Sequence, residues 1–106
     1  MSNEIDWHRA AASADLAEGA VLGRTVAGQD IALYRYEGQV YATHNICTHA
    51  YALLSDGYFE DGEIECPIHA ARFDVRTGRA LCAPASVPVK TFQVEEKDGD
   101  IWVKTS

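Results

Sequence analysis

The feature that most constrains the fold of this 106-residue chain is a set of two cysteines and two histidines near its centre. These residues are Cys47, His49, Cys66 and His69, so each histidine closely follows a cysteine and sixteen residues separate the two pairs. Thiolate and imidazole groups suit iron–sulfur clusters, zinc or copper rather than magnesium or calcium. A chain with two short ligand pairs is expected to bring two loops together around one metal centre.

The order of the ligand types helps to distinguish between metals. A two-cysteine, two-histidine zinc finger has its ligands in the order Cys, Cys, His, His and carries the histidines on a helix. In this chain the two types alternate, and the surrounding sequence is strand-like. If each loop gives one cysteine to one iron and one histidine to the other, the two loops form a [2Fe–2S] centre. A single tetrahedral zinc ion in an interaction module is the alternative.

The spacing Cys-x-His-x16-Cys-x-x-His resembles that of the Rieske family. The resemblance continues through residues 70–74 and Thr77-Gly78 to Ala83-Pro84. This half of the chain is similar to the small Rieske ferredoxins of bacterial aromatic ring-hydroxylating oxygenase systems, particularly those of the naphthalene-dioxygenase type.

The resemblance implies a role for each ligand in one Rieske-type [2Fe–2S] cluster. Cys47 and Cys66 would bind the inner iron, and His49 and His69 would bind the outer iron at the tip of the protein. A loop containing Pro84 would pack over the cluster. Position 82 carries the third cysteine, which lies in an apolar run and is expected to be a buried small side chain rather than a ligand.

The resemblance also implies an electron carrier rather than an enzyme. The protein would take single electrons from a flavin-containing, NAD(P)H-oxidising reductase and pass them to the Rieske centre of a terminal aromatic ring-hydroxylating oxygenase. The chain is too short to add a mononuclear iron domain with two histidines and a carboxylate. A Rieske small subunit of another redox enzyme, such as a nitrite reductase, is the alternative within the family.

Composition limits the partners and the compartment. Sixteen acidic and nine basic residues give a formal net charge of −7, whereas nucleic-acid binding requires a basic surface. No run of eighteen apolar residues is present, so no membrane span is expected. The acidic residues 1–6 do not resemble an export signal, and the cysteines do not form a disulfide framework. We therefore expect a soluble, cytoplasmic monomer.

Alternating strands and turn signals predict an all-β fold, a Rieske-type antiparallel sandwich or barrel with a small cluster-binding subdomain. The chain is expected to be a single domain, 1–106, in which residues 44–85 form that subdomain. A first strand starts at Trp7, and Glu37-Gly38 marks a hairpin turn. The other predicted strands are 21–26, 31–36, 40–43, 63–65, 73–75, one that follows the turn at 76–79, 87–96 and 101–103.

The residues around the frame suggest how the site meets its partners. Tyr51, Leu53 and Leu54 are expected to form an apolar contact patch, and the His44 ring is expected to lie at the surface. An acidic run lies between the two ligand pairs and is either a solvated face or part of a docking surface. Its members are Asp56, Glu60, Asp61, Glu63 and Glu65.

The positions that tune the cluster in high-potential Rieske proteins also differ in this chain. Those proteins resemble this frame but add a disulfide between the loops, a serine hydroxyl and a tyrosine hydroxyl. The matching positions here are Ala52 and Ile68 for the cysteines, Ala71 for the serine and Phe73 for the tyrosine. A reduction potential at the low end of the Rieske range is therefore expected.

Overall fold

The computed structural model describes residues 6–48, 52–68, 70–83 and 85–105. Within these residues, ten strands form two antiparallel sheets, and two single-turn 3-10 helices span Ser13–Asp15 and Leu54–Asp56. The strands are β1 (Trp7–Ala12), β2 (Val21–Val26), β3 (Gln29–Tyr36), β4 (Gln39–His44), β5 (Tyr58–Glu60), β6 (Glu63–Glu65), β7 (Arg72–Asp74), β8 (Ala80–Cys82), β9 (Thr91–Lys97) and β10 (Asp100–Lys104). Among the described residues there is no helix with the length and apolarity needed to cross a membrane.

The two sheets separate a base from the region of the ligand frame. The larger sheet has the order β1-β10-β9-β4-β3-β2, and its edge strands β1 and β2 contact each other, so the sheet is nearly closed. The smaller sheet contains β5 to β8 in sequence order. The chain forms it between β4 and β9, which pair with each other through Ala42 and Phe92. The predicted ligand frame therefore belongs to the segment between β4 and β9 that forms the smaller sheet. The all-β prediction is confirmed.

Four hairpins turn on two-residue loops that the sequence signals directly. Both residues of each loop have positive φ, the geometry of type I′ turns, whose backbone twist matches that of the flanking strands. The turn between β3 and β4 is also capped by Glu18, whose carboxylate oxygens accept the N–H groups of Glu37 and Gly38 at 2.7 and 2.9 Å. The four loops are Ala27-Gly28, Glu37-Gly38, Asp61-Gly62 and Asp98-Gly99.

Strand β3 separates two apolar cores because both of its faces are buried. Ile31 and Leu33 face the core inside the larger sheet, whereas Ala32 and Tyr34 belong to a second core against the smaller sheet. Burial of each large apolar side chain contributes about 1.5–3 kcal/mol. The second core, which also contains Phe73, forms the floor of the ligand region.

Two strand predictions are wrong in detail. The prediction that β9 starts at Val87 fails because Pro88 has no backbone N–H to donate and the Val87 side chain is 57 % exposed. The Val89 N–H instead bonds the Gly78 carbonyl oxygen at 2.8 Å, and the strand starts at Thr91. Strand β5 was not predicted, because its three residues are too short to show a period.

Arg35 connects several elements at the end of the larger sheet away from the ligand frame. Its guanidinium donates to both carboxylate oxygens of Glu96, at 2.6 and 3.1 Å, and to the carbonyl oxygen of Leu16 at 2.7 Å. The Arg35 side chain is 13 % exposed. Hydrogen bonding from Arg35 holds the pKa of the Glu96 carboxyl below its ordinary value.

We expect Arg35→Met to reduce the free energy of unfolding by about 2 kcal/mol, because a partly buried carboxylate and carbonyl oxygens lose charged donors. Arg24→Met is the matched control, because Arg24 is exposed and donates a 3.3 Å hydrogen bond to the carbonyl oxygen of the neighbouring Gly23. The control should change stability by less than about 0.5 kcal/mol. Urea unfolding measures both variants, and equal effects would contradict this role for Arg35.

Candidate metal centre

Cys47, the first predicted cysteine ligand, begins a loop that a hydrogen bond closes at its base. The Cys47 N–H donates to the Ala52 carbonyl oxygen at 2.9 Å. Just outside this bond, Ile46 and Leu53 form an isolated antiparallel bridge. Cys47 therefore stands at the first position of a loop that returns antiparallel to its own start.

The second ligand pair lies in a loop closed in the same way. The Cys66 N–H donates to the Ala71 carbonyl oxygen, also at 2.9 Å, and Glu65 pairs with Arg72 just outside it. In both loops the cysteine donates to the residue five positions later, with the flanking pair in the same register. The second loop also contains Pro67, whose ring restricts its φ. The bases of the two hairpins are therefore equivalent, and each carries a predicted cysteine ligand at the same position.

The structure brings the two cysteines together in one buried cluster. Cys47 is 4 % exposed and Cys66 is 1 % exposed, and both belong to the core that contains Ala71 and Phe73. Apolar side chains around the two thiol groups suit an iron–sulfur cluster, because they limit the access of water to its cysteine side. The predicted ligands His49 and His69, like Pro84, lie outside the described residues.

A shallow apolar groove lies between the two loops. Leu53 on the first loop is 42 % exposed and Ile68 on the second is 59 % exposed. The prediction of an apolar patch is thus confirmed for Leu53 but wrong for Leu54, which is fully buried at the start of the 3-10 helix. Tyr51 lies outside the described residues. The groove is lined by Ile46, Ala52, Leu53, Asp56, Pro67 and Ile68.

The predicted acidic run forms much of the outer face of the smaller sheet. Phe59, Ile64 and Phe73 point inward as register partners, so their neighbours along each strand point outward. Arg72 on this face lies 3.5 Å from Glu63, measured from Nη1 to Oε1. Asp56, Glu60 and Asp61 are exposed, and Glu63 and Glu65 are partly exposed.

Two other predicted features differ from the expectation. Cys82 is partly exposed rather than buried, because β8 is the edge strand of the smaller sheet. Its thiol lies 3.2 Å from the Ala70 carbonyl oxygen and donates to it, so it contacts the second ligand loop. The His44 side chain is partly buried rather than on the surface, where β4 pairs with Ile31 of β3.

Two polar residues that brace the first loop were not predicted from the sequence. Asn45 is 4 % exposed and its side chain bonds Ser55. The Thr48 hydroxyl donates to the Val87 carbonyl oxygen at 3.0 Å, which connects the loop to the segment before β9. The available signal for Asn45 was its position, directly after the end of β4 and two residues before the predicted ligand Cys47. Its partner Ser55 is set by the tertiary structure.

The chain matches the model of the Rieske [2Fe–2S] domain over residues 6–93. It is also 55 % identical, over 102 residues, to the ferredoxin component of the naphthalene 1,2-dioxygenase system of Pseudomonas putida. That alignment covers 96 % of this chain and 98 % of the relative. A Rieske domain carries one [2Fe–2S] cluster, in agreement with the predicted cofactor.

Solved structures agree with the sequence relatives. The ferredoxin of carbazole 1,9a-dioxygenase from Nocardioides aromaticivorans IC177 superposes with a TM-score of 0.88 at 37 % identity, over 92 % of this chain and 96 % of that one. A complex of reduced oxygenase and oxidised ferredoxin in carbazole 1,9a-dioxygenase gives a TM-score of 0.89 at 36 % identity, over 95 % of this chain and 94 % of the matched chain. The resemblance to Rieske ferredoxins of aromatic dioxygenase systems is therefore confirmed.

Proposed function

The chain belongs to the Rieske [2Fe–2S] domain family, and on this premise we propose that Cys47, His49, Cys66 and His69 ligate its cluster. The observation that carries the proposal is the equivalence of the two hairpin tips, each closed by the same bond from its cysteine N–H. Residues 44–85 then form the cluster-binding subdomain.

The residues of the proposed site have different roles. The bound cluster supplies one-electron chemistry. Cys47 and Cys66 hold it from the buried side, where the surrounding apolar core limits access of water. Reduction adds a negative charge, and burying that charge without hydrogen-bond donors costs free energy. The reduction potential therefore depends on the backbone N–H groups of the two loops and on the apolar core.

We propose that the protein carries single electrons from an NAD(P)H-oxidising flavin reductase to the terminal oxygenase of an aromatic ring-hydroxylating system. The ferredoxin relatives and the oxygenase–ferredoxin complex support this function. The apolar groove with Leu53 and Ile68 suits transient contact with a partner, and the net charge of −7 suits steering by a basic surface. A cytoplasmic monomer fits a diffusing carrier whose thiolates must stay reduced.

Reconstitution tests the function directly. The reductase and oxygenase components of the naphthalene 1,2-dioxygenase system are mixed with NADH, naphthalene and this protein. We expect dihydroxylated product only when the protein is present, at a rate that falls with increasing ionic strength. Charge screening weakens the attraction of an acidic carrier to a basic docking surface. A loaded protein that transfers no electrons to the oxygenase would contradict the proposal.

The reduction potential is expected to be about −150 mV, the low end of the Rieske range. Ala71 and Phe73 are fully buried in the same core as the two cysteines and carry no side-chain donor. Phe73→Tyr should raise the potential by about 60 mV, equivalent to ~1.4 kcal/mol of preference for the reduced form. Phe92→Tyr, in the other core, should leave the potential unchanged.

Potentiometric titration measures the reduction potentials of the unmodified protein and of the Phe73→Tyr and Phe92→Tyr variants. A clearly positive potential in the unmodified protein, or equal shifts in the two tyrosine variants, would contradict the role of the missing donors.

A further inference from the structure

Asn45 is a buried polar residue at the base of the first ligand loop, and its backbone and side chain hydrogen-bond Asp30, Leu54 and Ser55. Its N–H donates to the Asp30 carbonyl oxygen at 2.8 Å, and its carbonyl oxygen accepts the Leu54 N–H at 2.7 Å. Its Oδ1 accepts the Ser55 N–H at 2.8 Å, and its Nδ2 donates to Ser55 Oγ at 2.9 Å. Asn45 therefore links the chain that enters the loop to the chain that leaves it, through its backbone at Leu54 and through its side chain at Ser55.

The first loop requires such a link because its hairpin lacks a strand ladder. The second loop stands on three consecutive register pairs between β6 and β7. The first stands on the single bridge between Ile46 and Leu53, because the 3-10 helix starts at Leu54 and turns the chain away. At that point Asn45 Oδ1 accepts the Ser55 N–H, in addition to the Leu54 N–H that its backbone carbonyl oxygen accepts. The asparagine amide thus adds a side-chain bond between the chain that enters the loop and the chain that leaves it.

Strand β2 packs against the Asn45–Ser55 pair from one side. A Cβ atom added to Gly23 would lie 2.7 Å from Ser55 Oγ and 2.9 Å from Asn45 Nδ2. Such distances are too short for non-bonded contacts, so the Asn45–Ser55 pair occupies the space that a larger residue at position 23 would fill. The base sheet therefore supports the first ligand loop through this pair.

We propose that Asn45 is a positioning residue for the cluster, which acts by fixing the first ligand loop and with it Cys47 and His49. This inference rests on the proposed assignment of those two residues as ligands. Ligand support by surrounding hydrogen bonds typically changes metal affinity by 10–100-fold. Without the amide, the partly buried Ser55 N–H loses its acceptor, and the loop can move relative to the second loop.

Three variants of the loaded protein separate this role from general destabilisation. Asn45→Ala removes both side-chain bonds to Ser55, and Ser55→Ala removes only the bond to Nδ2. Ile101→Ala is the matched control, because it opens a cavity in the other core and leaves the loop contacts in place. Each variant is examined by the rate of loss of visible absorbance in the presence of an iron chelator and by the electron paramagnetic resonance spectrum after dithionite reduction.

We expect Asn45→Ala to lose the cluster about 10-fold faster than the unmodified protein and to show shifted g values. Ser55→Ala should show a smaller change of the same kind, and Ile101→Ala should keep the unmodified spectrum. If Asn45→Ala does not fold, Ser55→Ala decides the question with the same two readouts. An unchanged spectrum together with a rate no faster than that of Ile101→Ala overturns the inference. Absence of a Rieske signal from the unmodified protein would instead overturn the ligand assignment.

Discussion

Cys66→Ala should abolish cluster binding, whereas Cys82→Ala should leave it intact. Cys66 is almost completely buried at the first position of a ligand loop, and alanine offers no thiolate to replace it. Cys82 lies on an edge strand and contacts the second loop through the Ala70 carbonyl oxygen. The two variants remove the same chemical group from two positions of one subdomain, so they separate a predicted ligand from a nearby cysteine.

Iron and acid-labile sulfide content per chain measure the difference. We expect both to fall to background in Cys66→Ala and to stay at the unmodified level in Cys82→Ala. A folded Cys66→Ala protein that keeps its iron and sulfide would show that the predicted frame is not the ligand set. Loss of the cluster from Cys82→Ala would show that the third cysteine has a larger role than its contacts indicate.

Gly78→Ala should reduce the free energy of unfolding by about 4 kcal/mol, of which ~1 comes from its left-handed backbone and ~3 from steric overlap. Gly78 has a φ of +81°, and an added Cβ would overlap the Val89 carbonyl oxygen and lie 3.0 Å from Thr91 Cγ2. The Gly78 carbonyl oxygen also accepts the Val89 N–H. This contact holds the segment before β9 against the turn after β7.

Gly38→Ala is the matched control, because Gly38 has the same φ but nothing within 4 Å of its added Cβ. It should lose only the ~1 kcal/mol that the left-handed backbone requires. Thermal unfolding measures both variants, and a difference of ~3 kcal/mol between them corresponds to roughly 15 °C in a domain of this size. Equal losses would contradict the close approach of Val89 to Gly78.

Local chemistry explains which parts of the fold could be predicted. Each of the dipeptides Glu37-Gly38 and Asp98-Gly99 is enough to form a tight turn, so the strands beside them were placed to within a few residues. The ligand frame is also a local pattern, so its spacing alone indicates the Rieske family. In the smaller sheet, β6 and β7 lie at or within one residue of the predicted positions, whereas β5 was not predicted because its three residues show too little alternation.

The errors arise where a distant partner decides the structure. Leu54 was expected on the surface, but the turn of the 3-10 helix places it in the core below the loops. The backbone of Val89 bonds Gly78 of another hairpin, which delays the start of β9. Asn45 shows no motif of its own, because its role depends on Ser55 and Gly23 reaching it from other elements.

The electron paramagnetic resonance spectrum of the dithionite-reduced protein, recorded with its iron and zinc content, tests the central claim most directly. Histidine ligation of one iron predicts a rhombic signal whose average g value lies below that of clusters held by four cysteines. That result would establish a Rieske [2Fe–2S] cluster in this chain. A silent spectrum from folded, anaerobically prepared protein that contains stoichiometric zinc would contradict the account.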